Sequence, residues 1–301
     1  MGVADLIPGI SGGTIALITG IYKDLLDSID RLNFKNLNLL IRGKLKNFWK
    51  NINGKFLLTV FSGIILSILI FSYLIDWLIQ SHPIQLWSFF FGVLITSIFF
   101  LRKLVINWNF FCFGFLIIGI LISYQLTKIP LKNNDITLLY LFFCGIAGSV
   151  AMILPGISGA YIFLILGVYQ TLLSSIKMAT KVFTFFKWEI FYETFLTLLV
   201  TALGFLIGLR FFASILKKLI EKNNDITMST LIGLMIGSIQ KIWPWQEVVN
   251  INFDNEKFFY SKAIAPYNYE GNPEILISFL VMIIAVLLTI FLGSKNLTHN
   301  K

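Results

Sequence analysis

Apolar residues run along this chain in long stretches that short polar segments separate. A helix needs about 20 consecutive apolar residues to cross the hydrocarbon core of a bilayer. Six stretches fit that requirement in the ordinary way, namely Phe56–Ile79, Ile84–Leu101, Trp108–Leu126, Phe191–Leu216, Thr227–Trp243 and Glu274–Leu292. The pattern therefore predicts an all-α integral membrane protein with six transmembrane spans.

Two further apolar regions, 1–29 and 137–176, are each interrupted by the sequence Pro-Gly-Ile-Ser-Gly. Proline removes an amide donor, and glycine favours a sharp turn. Irregular backbone is tolerated at membrane depth only where it is buried in protein or lines a cavity. We therefore predict that each region is a re-entrant helical hairpin, and two full spans per region are the alternative.

The composition excludes an ordinary soluble domain. Hydrophobic residues make up 57% of the chain and charged residues 13%, against about 25% in a typical soluble domain, and the mean hydropathy is +0.82. The net charge of +9 resides in short basic runs between the spans, so we interpret it as a topology signal and not as a nucleic-acid surface. Cys112 and Cys144 lie within apolar stretches and are interpreted as core residues.

The basic residues predict the orientation. The linker 30–55 carries seven of them, which places it in the cytoplasm by the positive-inside rule. With both hairpins re-entrant, 14 basic residues fall on the cytoplasmic side and eight outside. This arrangement predicts a multi-pass protein of the cytoplasmic (inner) membrane with both termini in the cytoplasm. Lys132, Lys177 and the aromatic loop 244–273 then lie outside.

The chain contains an internal repeat. Residues 4–29 match residues 151–176 at 15 of 26 positions. A second block repeats small residues four apart, with Gly63/Ser67 matching Gly204/Gly208 and Gly92/Thr96 matching Gly233/Gly237. This spacing lets helix backbones approach closely, so we expect these four helices at the packed centre. The first repeat covers 1–130 and the second 131–301.

Each repeat is one hairpin followed by three spans, and an odd number of spans inverts the second repeat relative to the first. Inverted-topology repeats are typical of secondary transporters, and the two hairpin tips are expected to meet within the bilayer. The second motif follows an apolar arm, 137–150, whereas only residues 1–3 precede Ala4. Either the first hairpin lacks most of its entry helix or the native chain starts upstream.

The motif residues point to anion binding. Proline, glycine and serine at a helix start present unpaired amides and partial positive charge. Amides and hydroxyls for phosphate oxygens are expected from Ser11, Gly12, Gly13 and Thr14 in the first repeat, and from Ser158, Gly159 and Tyr161 in the second. The alternative is that glycine and serine only permit a turn and close packing.

Arg210 and Asp5 are two of the charged residues inside apolar segments, and both are candidate site residues. Arg210 is either a counter-charge for an anionic head group or a side chain that reaches the cytoplasmic interface. Asp5, whose repeat counterpart is Met152, could cap the turn, pair with a base or carry a coupled proton. The sequence does not choose between these roles.

The sequence offers no enzymatic machinery. The only histidines, His82 and His299, lie in a short outer loop and the C-terminal tail, so we expect no metal site and no catalytic triad. No nucleotide-binding fingerprint is present, and we expect no cofactor.

The run from Gly2 to Ile29, with its second copy from Pro155 to Tyr169, resembles the DUF 368 family of bacterial and archaeal membrane proteins, which includes polyprenyl-phosphate transporters. The resemblance covers nearly the whole chain. It implies a flippase that returns undecaprenyl phosphate, the lipid carrier of cell-envelope precursors, from the outer to the inner leaflet. The motif residues carried over are Asp5, Pro8, Gly9, Ser11, Gly12, Gly13, Thr14, Pro155, Gly156, Ser158 and Gly159.

Other functions are compatible with parts of the pattern. A transporter of a small soluble anion would use the same motif site, and a membrane scaffold would use the loop 244–273 as its docking surface. An intramembrane hydrolase lacks the acid and base groups that it would need. The expected partners are the polyprenyl-phosphate lipid and membrane lipids, with no nucleic acid and with homo-oligomerisation left open.

Overall fold

The computed structural model describes residues 1–5, 11–127, 136–169, 171, 172, 174, 175, 178, 188–253 and 256–297. Its helices are α1 Gly2–Asp5, α2 Gly12–Ile18, α3 Tyr22–Asp30, α4 Phe34–Ile41, α5 Leu45–Asn51, α6 Gly54–Ser81, α7 Pro83–Leu101, α8 Phe110–Leu126, α9 Leu138–Ile153, α10 Gly159–Ile165, α11 Trp188–Lys222, α12 Asn224–Gly237 and α13 Ile275–Leu297. Short 3₁₀ turns cover Arg102–Leu104, Ile239–Ile242 and Pro266–Asn268. Two strands, β1 Gln246–Phe253 and β2 Glu256–Ala263, form an antiparallel pair.

The described helices are those of a multi-pass α-helical membrane protein. Three segments are long and apolar enough to cross a bilayer, and they are Pro83–Leu104, Tyr192–Lys222 and Ile275–Gly293. Shorter apolar helices cover Gly54–Ser67, Phe110–Leu126 and Leu138–Ile153. The predicted span 227–243 is a helix only as far as Gly237, because the chain then tightens into the 3₁₀ turn at 239–242.

Glycines allow the spans to pack in parallel pairs. On α9 and α11, Gly145 lies against Thr201 and Phe205, and Gly208 lies against Ser149. The residue numbers of the contacting positions increase together along the two helices, so α9 and α11 run in the same direction. A Cβ atom at these glycines would overlap backbone or side-chain atoms of the partner helix, which explains why small residues occupy these positions.

Two further pairs join the predicted repeats to each other. Helix α8 packs along α12, where Gly119 and Gly233 lie against each other's helix. Helix α7 packs along α13, with Gly92 against Met282 and Ala285. The glycines at 92, 204, 208, 233 and 237 therefore lie at close helix contacts, as expected. Gly63 differs, because no described residue comes within 4 Å of a Cβ atom built on it.

The second motif turns the chain back on itself. Gly156 adopts a left-handed φ of +82°, and α10 returns alongside α9. The Tyr140 hydroxyl donates a hydrogen bond to the Leu166 carbonyl at 2.8 Å, which ties the two arms together near their open end. This part of the chain therefore has the shape of a hairpin that leaves on the side where it entered. Lys132 and Lys177, expected on one outer face, lie outside the described residues.

Two regions contain elements that the apolar pattern did not predict. The basic linker forms α4 and α5, on which the side chains of Phe34 and Ile41 are 83% and 87% exposed. Apolar residues on the surface of short helices beside a membrane protein are typical of helices that lie in the interface plane. The loop 244–273 contains the β1–β2 pair, so the fold is not helical throughout.

Contacts between remote segments define two opposite faces of the bundle. We call the side that carries the linker 30–55, Lys103 and Lys217 the basic face, and the side that carries the loop 244–273 the loop face. On the basic face, the Asp225 carboxylate accepts hydrogen bonds from the amides of Ile106 and Asn107 at 3.0 Å each. These bonds join the start of α12 to the segment that precedes α8. On the loop face the Trp245 indole donates to the Pro273 carbonyl at 2.8 Å, and Gln85 donates to Glu274.

Candidate substrate site between the two motifs

The two motif regions touch each other inside the bundle. The Ser11 hydroxyl donates to the Met152 carbonyl at 2.9 Å, and the Tyr22 hydroxyl donates to the Ile153 carbonyl at 3.0 Å. The Thr14 hydroxyl accepts a hydrogen bond from the Gly156 amide at 3.3 Å. Gly13 fits only because it has no side chain, since a Cβ atom there would overlap the Ile153 carbonyl. The first motif is thus joined to the turn that carries the second.

Helix α2 starts with its amides already paired. Ser11 is the N-cap residue with extended backbone angles, and its hydroxyl oxygen accepts from the Gly13 amide at 3.1 Å. Oδ1 of Asp5 accepts from the Gly12 amide at 2.8 Å. An added Cβ atom on Gly12 would lie 2.5 Å from Oδ2 of Asp5, so glycine is needed for this close approach. Asp5 therefore caps the start of α2, and capping is one of the three roles that the sequence left open.

One oxygen of Asp5 has no such partner. Its Oδ2 atom is buried and accepts no hydrogen bond from the described residues. Asp5 also lines a lateral groove of about 560 Å³ between the second hairpin and α11. The remaining lining residues are mostly apolar, and they are Gly148, Met152, Gly159, Ala160, Phe163, Tyr169, Leu172, Leu198, Thr201, Ala202, Phe205 and Leu206. The groove therefore forms an apolar path that reaches the Asp5 carboxylate beside the start of α2.

The second motif faces a small polar pocket towards the loop face. Ser158 precedes α10, and the Tyr161 hydroxyl lies 3.3 Å from the Leu126 carbonyl and 3.2 Å from the Thr127 carbonyl, to which it donates. The ammonium of Lys241 lies 4.5 Å from the centre of the Tyr161 ring. The pocket has a volume of about 10 Å³ and is lined by Ser123, Leu126, Thr127, Gly156, Ile157, Ser158, Tyr161, Ser238 and Lys241.

The sequence pattern did not indicate Lys241 as a candidate site residue, because Lys241 is one of the eight basic residues that the predicted orientation places outside. A signal was available, since Lys241 lies inside the predicted span 227–243, where an ionisable side chain marks a functional position by default. The 3₁₀ turn after α12 carries its side chain inwards to Tyr161. The second motif therefore has a lysine ammonium beside it.

Among the described residues, Arg210 makes no hydrogen bond or ion pair with either motif. Its guanidinium lies 5.9 Å from the centre of the Phe34 ring, which belongs to the basic linker. Its Nε atom is buried and donates no hydrogen bond to a described residue. The contact with Phe34 points Arg210 towards the basic face.

The basic face holds a polar cavity that is much larger than the pocket beside Lys241. It has a volume of about 740 Å³ and is lined by Lys23, Leu26, Asp27, Lys103, Leu104, Ile106, Lys217, Ile220, Glu221, Asn224 and Met228. Lys217 lies 3.0 Å from Asp27 and 3.4 Å from Asp30, so α3 is ion-paired to α11 at the cavity wall. The described residues therefore enclose a large cavity at the basic face and a very small one beside Lys241.

The remaining predicted site residues lie in different surroundings. Pro155 is fully buried, and the Gly156 turn packs against the backbone of Met235. Gly159 lies against the Gly148 carbonyl. Pro8 and Gly9 lie outside the described residues. Across the described ranges, no three His, Cys, Asp or Glu side chains form a group that could hold a metal ion.

Comparison with known proteins gives a consistent result. A polyprenyl-phosphate transporter of Vibrio cholerae is 37% identical over 273 residues, which are 90% of this chain and 84% of that protein. A polyprenyl-phosphate transporter of Staphylococcus aureus is 30% identical over 259 residues, which are 81% of this chain and 83% of that protein. No solved structure matches the chain. The model of the undecaprenyl phosphate translocase-like family matches residues 1–259, and the chain belongs to that family.

Proposed function

We propose that this protein is a flippase that returns undecaprenyl phosphate, or a related polyprenyl phosphate, from the outer to the inner leaflet of the cytoplasmic membrane. Two relatives that are named polyprenyl-phosphate transporters support the substrate class. The observation that carries the proposal is the direct contact between the two motifs at the end of an apolar lateral groove. A lipid phosphate needs both a polar site for its head and an apolar path for its tail.

The proposed architecture is an inverted repeat, and equivalent contacts in the two halves support it. Gly2 lies against Ser67 in the first half, and Ser149 lies against Gly208 in the second. These are counterparts, because Gly2 aligns with Ser149 and Ser67 with Gly208. The pairs α7–α13 and α8–α12 are likewise exchanged by the repeat alignment. Alternating exposure of one site by two such halves is how inverted-repeat transporters work.

The head group is proposed to bind at the starts of α2 and α10. The Gly12 and Gly13 amides now donate to Asp5 and Ser11, which shows that these amides can be satisfied by oxygen acceptors at this point. A phosphate oxygen would replace the Asp5 carboxylate, because both are anionic acceptors of the same amide hydrogen bond. Ser158 and Tyr161 would complete the site from the other half, and Arg210 would balance the charge from the basic face.

The lipid tail is proposed to occupy the lateral groove. Phe163, Leu198 and Phe205 line a path that is apolar along most of its length and leads to Asp5. Burying apolar lipid surface there costs little, because the tail leaves one apolar environment for another. In this arrangement the basic face is cytoplasmic, in accordance with the positive-inside rule.

Leaflet exchange in liposomes tests the proposal. Purified protein is reconstituted with a labelled polyprenyl phosphate, and label in the outer leaflet is removed at intervals by an impermeant reagent. We expect exchange by the wild-type chain and at least a tenfold slower exchange by a Ser11→Ala, Ser158→Ala, Arg210→Ala variant, since each lost hydrogen bond to a charged group costs about 1.5–3 kcal/mol.

Thr59→Ala is the matched control, because this variant loses a similar hydroxyl group on the exposed surface of α6. Unchanged exchange in the triple variant would remove these residues from the site. Absence of lipid exchange by the wild-type chain, together with uptake of labelled inorganic phosphate into sealed vesicles, would favour the rival function of a small-anion transporter.

A further inference from the structure

The basic linker forms a helical hairpin, α4 and α5, that is held together by its own side chains. Asn33 caps α4 by accepting a hydrogen bond from the Asn36 amide at 3.0 Å. The Asn36 side chain donates to the Arg31 carbonyl at 2.8 Å and accepts from the Asn51 side chain at 3.1 Å. Gly43, with a left-handed φ of +69°, lies at the turn between the two helices. The hairpin therefore has a defined geometry.

The hairpin carries apolar side chains that the described part of the chain leaves exposed. Phe34, Leu37 and Ile41 follow the i, i+3, i+7 spacing of one face of α4. Leu45 and Trp49 are exposed on α5 at i, i+4 spacing. We call these five side chains the apolar stripe. Exposed apolar patches that polar residues surround mark a site of contact with a membrane or a partner.

The charge of the hairpin indicates an anionic partner. Residues 31–55 contain seven basic residues and no acidic one. Arg31 donates to the Asn51 carbonyl at 3.3 Å. The other six are exposed and form no ion pair with a described residue, and they are Lys35, Arg42, Lys44, Lys46, Lys50 and Lys55. Basic clusters next to a membrane-spanning helix attract anionic lipid head groups.

The position of the stripe identifies the bilayer as the partner. Trp49 lies against the first residue of α6, because a Cβ atom on Gly54 would overlap its indole ring. Tryptophan is enriched where spans leave the hydrocarbon core. Phe34 lies beside Arg210, and Ile207, one turn away on the same side of α11, is an exposed apolar residue. The stripe therefore adjoins the ends of two helices whose outer surfaces face lipid.

We propose that α4 and α5 form an interfacial element that binds anionic phospholipids in the leaflet at the basic face. The apolar stripe enters the boundary between head groups and acyl chains, as amphipathic helices on a membrane do. The six exposed basic side chains bind the phosphate groups of these lipids. This inference goes beyond the proposed function and does not depend on which lipid is transported.

Quenching of Trp49 fluorescence by bromine-labelled lipids tests the proposal. The full chain is placed in nanodiscs at low salt with labelled phosphatidylglycerol or labelled phosphatidylcholine at equal mole fraction. The signal of Trp49 is the difference between each protein and the same protein with Trp49→Phe. We expect both lipids to quench, with an affinity of phosphatidylglycerol about threefold or more above that of phosphatidylcholine.

A pair of lysines on α5 supplies the charge test. Lys46→Gln with Lys50→Gln should lower the affinity ratio about twofold or more and leave quenching by phosphatidylcholine unchanged, because both lysines flank Trp49. Lys218→Gln with Lys222→Gln is the matched control, since it removes two exposed lysines at the same spacing from the end of α11. This control should keep the wild-type ratio.

Three results would overturn the proposal. The first is equal affinity of the wild-type chain for both lipids, and the second is an equal fall of the ratio in the control, which would assign the preference to the charge of the whole face. The third is absence of quenching by either lipid. Quenching that disappears only in nanodiscs with two copies of the chain would assign the stripe to a second copy and would also refute the proposal.

If Trp49→Phe does not yield a monodisperse protein, spin labels on α5 decide the question. Cys112 and Cys144 are buried, so the label attaches to an introduced cysteine. A label at Leu45→Cys should be more accessible to oxygen than to a water-soluble nickel complex. A label at Asn47→Cys, on the opposite side of the helix, should show the reverse. Equal accessibility at the two positions would refute insertion of the stripe into the bilayer.

Discussion

The helices that follow the two motif regions, α6 and α11, are counterparts in the repeat and differ in how they are covered. On α11, Gly204 lies under the Phe142 carbonyl and Gly208 against Ser149, so α9 contacts it over more than one turn. On α6, Gly2 of α1 lies against Ile64 and Ser67, whereas a Cβ atom built on Gly63 would have no described residue within 4 Å. Gly204 is therefore a packing requirement, whereas no described residue makes Gly63 one.

The largest expected effect comes from adding a side chain at Gly204, with Gly63 as the matched position. Gly204→Leu places a side chain where the Phe142 backbone lies, and overpacking of this kind costs about 3 kcal/mol. Gly63→Leu, the matched control, should change the free energy of unfolding by less than about 1 kcal/mol, because the new side chain enters open space. Thermal unfolding of the purified proteins in one detergent measures both. Equal destabilisation by the two variants would contradict the comparison.

A second contrast lies in the two counterpart tyrosines. Tyr22 is fully buried and donates to the Ile153 carbonyl, whereas Tyr169 lines the lateral groove and makes no hydrogen bond to a described residue. Tyr22→Phe should destabilise the protein by about 1–2 kcal/mol, since the Ile153 carbonyl loses its partner in a buried setting. Tyr169→Phe should stay within about 0.5 kcal/mol of the wild type. The same unfolding assay distinguishes them, and a reversed order would be evidence against the buried contact between the halves.

The carboxylate that distinguishes the first motif from the second allows a smaller test. Asp5→Met installs the counterpart residue and removes the acceptor of the Gly12 amide, so we expect a loss of about 1 kcal/mol, as for other helix caps. Asp5→Asn keeps a carbonyl oxygen at that position and should retain most of the stability. If both variants unfold at the wild-type temperature, Asp5 does not cap α2.

The smallest expected effect concerns Asp225 on the basic face, where the two halves meet. Hydrogen bonds from the amides of Ile106 and Asn107 hold the pKa of this carboxyl below its ordinary value. A lowered folded-state pKa contributes stability that is present above the unfolded value of about 3.9 and is lost as pH falls through the folded value. The unfolding temperatures of wild type and Asp225→Asn should therefore differ at pH 6 and converge below about pH 4. A constant difference across this range would assign the effect to packing.

Much of this arrangement was accessible from the sequence because it depends on local rules. Apolar length predicted helical spans, and the repeated Pro-Gly-Ile-Ser-Gly predicted that the two motif regions meet, which the Thr14–Gly156 hydrogen bond confirms for the described residues. The cap on α2 was one of the roles assigned to Asp5, whose partner is only seven residues away. Such features are encoded by residues that are close in the chain or duplicated within it.

Features that depend on the pairing of distant faces were not accessible. Small residues predicted close helix contacts without identifying the partners, so the pairs α8–α12 and α7–α13 could not be derived from spacing. The inward direction of Lys241 depends on a 3₁₀ turn fixed by Gln246, and hydropathy counts do not register that turn. The contact of Arg210 with Phe34 depends on how the linker folds back, and linkers carry little apolar periodicity.

Helix α3 is fastened at its two ends by bonds of unequal strength. Its buried end is held by the Tyr22 hydroxyl, whereas its outer end is held by the ion pairs of Lys217 with Asp27 and Asp30, where the lysine side chain is 23% exposed. Ion pairs that contact water contribute about 0–1 kcal/mol and weaken as salt is added. Bending of α3 away from α11 should therefore begin at the outer end and pivot about Tyr22, and ionic strength would set how readily it does so.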